Sequence, residues 1–439
     1  LRLPDGDIRI NSAIGGAVGN LKRYTIHGTP SSRLVVGGAS GGLIFTSGFR
    51  TSPMNFLSMS IVSAIQNAGT AIQYVCPEGG NQADRIFTAQ DIFIGAETFA
   101  GTDQGFNKGI VAEGLFRPYL RNILVTSGSA STHKMEVGIS VDGTFKSQIL
   151  DSYVLGSADV GISDVGLNGE GGYIDSNTVN GADIGYNRIR TANEPELWFI
   201  NNHFNCKTIG VNIDGAKYIN LVNNLMYVTD SSAATYYDFK LKNIEGGKIS
   251  GNDYRQPFNP SRKHVFLDGS GSHMQDIETN DKGLYATAIE YIEITAGCEN
   301  ITVNLPTHIS SSDNIAYSNP ALYSGAVSSF NDKIRINRGS SGITSVISAG
   351  SITAYGDYIN VDTEGGAATD DLETITIGTH GQVLRLQSHN NARDVVVKDN
   401  VGGLRLEGDF TLSNTRDKLV LIFNAISGRW EELSRSNND

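Results

Sequence analysis

Carboxylic acids recur along this chain at positions that suit a two-acid reaction. Glu113, Asp142, Asp164 and Asp214 lie in four related segments: Gly109-Ile-Val-Ala-Glu-Gly114, Gly138-Ile-Ser-Val-Asp-Gly143, Gly161-Ile-Ser-Asp-Val-Gly166 and Gly210-Val-Asn-Ile-Asp-Gly215. Glycoside hydrolysis uses two carboxyl groups, one a proton donor with a raised pKa and the other a base or nucleophile. Three of these acids stand directly before glycine, where turn chemistry alone favours an acid. Asp164 comes one place earlier, so turn chemistry does not account for it. Two loops add Glu170, in Asn168-Gly-Glu-Gly-Gly172, and Glu194 and Glu196, in Thr191-Ala-Asn-Glu-Pro-Glu196. The second loop is close in sequence to Tyr186, Arg188, Arg190 and Trp198, and an indole face suits a sugar ring. The residues therefore predict a catalytic set drawn from Glu194, Glu196, Asp164, Glu170 and Asp214. The predicted substrate contacts are Trp198, Arg188, Arg190, Tyr186 and Lys240.

Lyase chemistry on an anionic glycan is the alternative. It needs a cation to neutralise a uronate and a base such as Lys, Arg, His or Tyr. Lys240 and Lys242 in Phe239-Lys-Leu-Lys-Asn243, with Tyr236, Tyr237, His203 and His264, could supply these. The sequence has no clustered acidic calcium site and no paired metal-ligand spacing, so no metal or cofactor is expected and hydrolysis is preferred. There is no Gly-Asp-Ser nucleophile block of the kind a deacetylase would carry.

The elements that must position these groups come from a repeat. An apolar residue, two residues, Asn, one residue and a second apolar residue recur. The copies are Tyr119-Leu-Arg-Asn122-Ile-Leu124, Ile174-Asp-Ser-Asn177-Thr-Val179, Phe199-Ile-Asn-Asn202-His-Phe204, Leu221-Val-Asn-Asn224-Leu-Met226 and Ile249-Ser-Gly-Asn252-Asp-Tyr254. Looser copies place Met59, Gln90 and Ser152 at the Asn position, which gives steps of 31, 32, 30, 25, 25, 22 and 28 residues. A coil of that length holds three short strands and three turns, and stacking buries each coil's few inward residues on the next. An Asn at a fixed turn tolerates left-handed geometry, and its amide can bond the next coil. Alternation of Ile or Val with small residues in the Gly-initiated segments reads as half-buried strand. Residues 63–73 are the best helical candidate.

Composition agrees. Of 439 residues 51 are Gly and 10 Pro, and 18% are charged, as expected of many short strands and tight turns. A net charge of −12 without long Lys/Arg runs argues against a nucleic-acid partner. No apolar run of 18 residues suggests a membrane span. Cys76, Cys206 and Cys298 are too far apart for a disulfide framework or zinc site. The repeat fades after Asn252. Residues 276–330, with their prolines and Ser310–Ser312, read as an irregular crossover containing a strand near 288–295. From 331 to 439, strands at 333–336, 374–377, 383–387, 394–398 and 418–423, separated by turns, predict a β-sandwich. The predicted fold is all-β: a right-handed parallel β-helix over 1–275, the crossover, and the C-terminal sandwich.

The repeat resembles the pectate-lyase-like fold. The ending Leu419-Val-Leu-Ile-Phe-Asn-Ala-Ile-Ser-Gly-Arg-Trp430-Glu-Glu-Leu-Ser-Arg-Ser-Asn437 resembles the last strands of bacteriophage tailspike and tail-fibre proteins. This resemblance implies a homotrimeric phage tailspike, carried on the virion and acting at the bacterial surface. It would bind and cleave a capsule, exopolysaccharide or O-antigen, or serve as a non-catalytic receptor-binding spike. It also implies a head-binding part that joins the phage tail or baseplate upstream of Leu1, and a C-terminal domain that trimerises or contacts carbohydrate. It carries over no catalytic residue.

Overall fold

The computed structural model describes residues 1–18, 23–47, 53–76, 87–98, 104–127, 134–166, 171–190, 196–228, 235–255, 262–268, 277–278, 290–294, 301–305, 334–338, 343–354, 358–376 and 381–438. They form two compact units. The first is built mainly from Leu1–Met274 and the second mainly from Ala326–Asp439.

The first unit is a parallel β-helix with three faces. On the first face Leu120, Ile149, Ile174, Phe199, Leu221 and Ile249 stand in register and point inward. On the second, Val125, Val154, Val179, Phe204, Met226 and Tyr254 do the same. On the third, the inward column is Ile110, Ile139, Ile162, Tyr186, Val211, Phe239 and Val265. Every described strand pair in this unit is parallel, from Gly6–Ile10 with Ser32–Val36 to Arg262–Asp268 with Glu290–Ile294.

The repeated Asn marks the corner between the first and second faces, where two adjacent residues divide the work. The left-handed residue is the first of them: Ser58, Asp91, Asn122, Asp151, Ser176, Asn201, Asn223 and Gly251 all have φ between 50° and 65°. The next residue is buried and carries the ladder. Asn177 receives the Ser152 N–H at its Oδ1 (3.0 Å) and donates from its own N and Nδ2 to Asn202 Oδ1 (3.0 and 3.1 Å). Asn202 does the same to Asn224, and Asn224 to Asn252. Each amide also donates to a carbonyl of the preceding coil: Ile149, Ile174, Phe199 and Leu221. This corrects two copies of the motif. Asn122 and Gln90 lie outside the ladder, whose positions in the early coils are Met59, Ile92 and Ile123. Asn122 instead takes the left-handed place and donates to Asp91 (2.7 Å).

The glycine that opens each related segment has a steric cause. Gly109, Gly138, Gly161, Gly185 and Gly210 form one column. A Cβ on any of them would collide with the inward side chain of the second face, Val125, Val154, Val179, Phe204 and Met226 respectively, and with the carbonyl of the next coil.

The helical expectation for 63–73 is overturned. Met54–Ser63 and Thr70–Val75 are strands joined by a bend. The apolar residues Ile61, Ala68, Ala71 and Ile72 are spaced by a corner of the coil, which brings all four inward.

The second unit has separate sheets, consistent with a β-sandwich. A six-stranded sheet contains Ile343–Val346, Tyr358–Asp362, Val383–Ser388, Lys418–Asn424, Arg429–Ser436 and Leu404–Arg405, beside smaller sheets of three and two strands. Its early strands still pair in parallel one coil apart, Ile359 with Leu386 and Ile352 with Ile375. Antiparallel strands follow, and Trp430 lies buried against Phe423.

Replacing Asn202 by Ala removes two buried donors and strands the Asn177 amide. With each unsatisfied buried group costing about 1–3 kcal/mol, a loss of at least about 3 kcal/mol is expected. Chemical denaturation will show it as a lower midpoint with unchanged slope, whereas Asn201→Ala, next door but outside the ladder, will shift the midpoint much less.

Candidate functional site

The predicted residues divide between the inside and the outside of the helix. Asp164, Tyr186, Arg188 and Arg190 are interior. Asp164 occupies the inward register slot that Val141 fills one coil earlier and Arg188 one coil later. Its carboxylate accepts hydrogen bonds from Arg188, Arg190 and the Tyr186 hydroxyl (3.0 Å). Burial, and then the Asp164 charge, push the Tyr186 phenol far above its ordinary pKa. The displaced phase of Asp164 thus marks a buried ion cluster, and these four residues are corrected to a structural role, since no polysaccharide reaches them. Glu170 and Glu194 lie outside the described residues.

Asp214 and Lys240 are on the outer side of the third face. Asp214 accepts from Asn243 Nδ2 (2.7 Å) and faces Lys242 (3.6 Å). Lys240 stands over the Tyr237 ring (5.5 Å). Neither is brought together with Trp198, which is on the first face. Of the lyase candidates, Tyr236 and His264 are interior, with His264 Nδ1 on Asp238 (2.6 Å).

Two outward arrangements remain. The first is an acid pair at the end of the third face. Val111 pairs with Ser140, and the Gly114 N–H donates to the Asp142 carbonyl (3.0 Å), which sets Glu113 beside Asp142 on adjacent coils. Both side chains are partly exposed. Asp142 Oδ1 accepts the Ser163 hydroxyl (2.9 Å) and the Val165 N–H (2.6 Å). Burial, and then the neighbouring Asp142 charge, raise the Glu113 carboxyl above the ordinary glutamic-acid range, with Lys108 opposing weakly. Two carboxyl groups thus meet at one site, and the one with the raised pKa, Glu113, has the property a proton donor needs. Just beyond, Phe116 and Phe145 bridge the same two coils, their ring centroids 6.4 Å apart.

The second arrangement is a ledge on the first face. Tyr173 and Trp198 are register partners, pointing out, 37% and 41% exposed. Tyr218, 45% exposed, stands one coil after Glu196, whose carbonyl accepts the Gly172 N–H. Trp198 Nε1 donates to Glu196 Oε2 (3.5 Å) and the Tyr173 hydroxyl to Asp175 Oδ2 (3.3 Å). Glu196 holds φ 34°, in the left-handed region that non-glycine residues rarely occupy. Of the predicted set, then, Glu196 and Trp198 do meet.

Sequence reasoning passed over Tyr173, Asp175 and Tyr218, and set Glu113 and Asp142 aside as turn acids. A signal for the aromatics exists. Tyr119, Gln148, Tyr173, Trp198, Asn220 and Lys248 all sit four residues before the buried corner residue, the place that faces outward on every coil.

Asp164→Asn should cost about 3–5 kcal/mol of stability, because two buried guanidinium groups lose their shared charge. The expected signature is a lower denaturation midpoint with any polysaccharide-cleaving activity per folded molecule unchanged. A specific loss of activity at full stability would return Asp164 to the catalytic set.

No protein-family model matches the chain, and no curated protein matches it.

Proposed function

We propose that this chain is a polysaccharide depolymerase of the bacteriophage-tailspike kind, cleaving a bacterial surface glycan by hydrolysis at Glu113 and Asp142. The observation that carries this reading is the acid pair itself. It is outward-facing, it spans one coil step, and the Glu113 carboxyl is raised beside an Asp142 held by two donors. The β-helix gives the pair a long flat wall, the surface an extended sugar chain needs. The homotrimer, the virion location and the host-surface setting belong to the same proposal, supported by the likeness of residues 419–437 to tailspike endings.

In this mechanism Glu113 gives its proton to the glycosidic oxygen as the bond to the anomeric carbon breaks. Glu113 and Asp142 stand on adjacent coils whose backbones lie about 4.8 Å apart, a spacing that lets their carboxyl groups reach the roughly 5–5.5 Å separation of retaining enzymes. Asp142 therefore attacks the anomeric carbon and forms a glycosyl ester. Glu113, now a carboxylate, takes a proton from water, and the hydroxide formed releases the sugar with its anomeric configuration kept. The lyase reading is weaker, because Tyr236 and His264 are interior and Lys242 is occupied by Asp214.

Digesting purified capsular or exopolysaccharide from candidate hosts tests this. New reducing ends without an unsaturated product are expected, and an unsaturated product would point to a lyase. Glu113→Gln should lower the rate by about 10²–10⁴-fold, with Asp142→Asn at least as damaging. Glu113 works protonated, so the rate should fall as pH rises through its raised pKa. An acidic-side optimum with a basic limb unaffected by Glu113→Gln would contradict the assignment.

A further inference from the structure

The acid pair does not use the ledge on the first face, and that ledge has the chemistry of a binding site. Three aromatic side chains on successive coils are partly exposed, Tyr173 and Trp198 as register partners on the strand surface and Tyr218 just before the strand Ile219–Val222. Exposed apolar surface gathered in one place marks an interaction site, whereas scattered single residues do not. Two of the three rings are held at their polar ends by a carboxylate, Tyr173 by Asp175 and Trp198 by Glu196, so the ring faces are fixed while the carboxylate oxygens keep lone pairs to offer. Glu196, opposite Tyr218 in register, is held in a left-handed conformation at the foot of the ledge. Conformations of that kind persist where the surroundings over-determine them and gather at ligand clamps.

We infer that Tyr173, Trp198 and Tyr218 form a glycan-holding ledge, separate from the cleavage pair, that takes uncharged pyranose residues. The apolar faces of the sugars lie on the rings. Their hydroxyls donate to Asp175 and Glu196. Tyr173 and Trp198 are one coil step apart, about 4.8 Å, and Tyr218 follows on the next coil two residues before the position opposite Trp198, so a glycan that crosses the coils obliquely meets a ring at successive residues.

The charges set the selectivity. Asp175 and Glu196 lie beside the rings, and the outward column Tyr119, Gln148, Tyr173, Trp198, Asn220 holds no cation before Lys248. Lys217 adjoins Tyr218 at the corner. A uronate over Tyr173 or Trp198 would sit against a like charge without a paired cation, which disfavours it. The ledge therefore separates neutral from polyanionic glycans even where both fit the wall in shape.

The chain offers a direct reporter. It has two tryptophans, and Trp430 is 1% exposed, so an added solute reaches Trp198. The experiment titrates a panel of neutral and uronate-containing bacterial polysaccharides into the full chain carrying Glu113→Gln, and follows tryptophan fluorescence. At least one neutral glycan should give a saturable change. The affinity should weaken about tenfold or more in Tyr173→Ala, as for central aromatic contacts elsewhere, and calorimetry, which needs no fluorophore, should show binding lost in Trp198→Ala, with melting temperatures unaltered in both. Uronate polymers should give none. Three results would overturn the inference: no response to any glycan on the panel, an equal response to uronate polymers, or a signal that follows protein concentration alone, which would make the ledge a contact between copies. Glycan binding without any cleavage by the unmutated chain would sink the proposed hydrolysis and leave the ledge standing. Glycan binding that survives both Trp198→Ala and Tyr173→Ala, with cleavage by the unmutated chain intact, would do the reverse.

Discussion

The outward surface of the later coils depends on one buried interaction, the amide ladder at the corner between the first and second faces. A corner in a stacked coil turns backbone N–H groups away from the strand ladders, and a buried N–H without a partner is costly. Asn is suited to the place because one side chain has an acceptor for an N–H of the preceding coil and donors for that coil's carbonyl and the next coil's amide. The ladder begins at Ser152 and runs through Asn177, Asn202, Asn224 and Asn252. Earlier coils fill the same position with Met59, Ile92 and Ile123. One corner is thus held by apolar packing in its first half and by hydrogen bonds in its second. The polar half carries the exposed aromatic ledge, where register has to be strictest: a one-residue slip would turn Tyr173 and Trp198 inward.

The interior is less apolar than a solenoid requires. Asp164 with Arg188 and Arg190 makes one buried ionic layer, and Asp238 with Arg262 and His264 makes another. Burial raises the Asp238 carboxyl, but Arg262 and His264 outweigh it and hold the group below the ordinary aspartic-acid range. Such layers add little net stability over an apolar core. Their geometric effect is clearer. Each joins side chains from neighbouring coils, and the Asp238 layer stands where the glycine column ends, after Gly210. There a carboxylate takes space that a glycine leaves open in the five coils before it.

Function divides across the same wall. A residue pointing in builds the core and one pointing out meets solvent, and adjacent residues on a strand alternate between the two. Asp142 and Asp164 show how much this decides. They occur in nearly the same segment, Gly-Ile-Ser-Val-Asp-Gly and Gly-Ile-Ser-Asp-Val-Gly, one place apart. That single step puts Asp142 outside beside Glu113 and Asp164 inside between two arginines. An acid at an odd phase attracts notice in a sequence, yet the phase difference itself is what removes it from substrate.

By itself the sequence determined the architecture. Coil length, the repeated corner Asn and the recurrent Gly-Ile segments follow from local geometry and from contacts that every coil repeats, so periodicity alone reveals them. The C-terminal strands near 383–388, 394–397 and 418–424 were legible in the same way, from alternation and turns. Tertiary structure alone decided which side chains meet. Tyr173 and Trp198 are 25 residues apart and become neighbours only when two coils lock in register. Glu113 gains its raised pKa only through burial and an Asp142 contributed by the next coil. Strand periodicity gives a side chain's face only once its phase is known. That phase is set at the corners, where one residue bends left-handed and the next turns inward to the ladder.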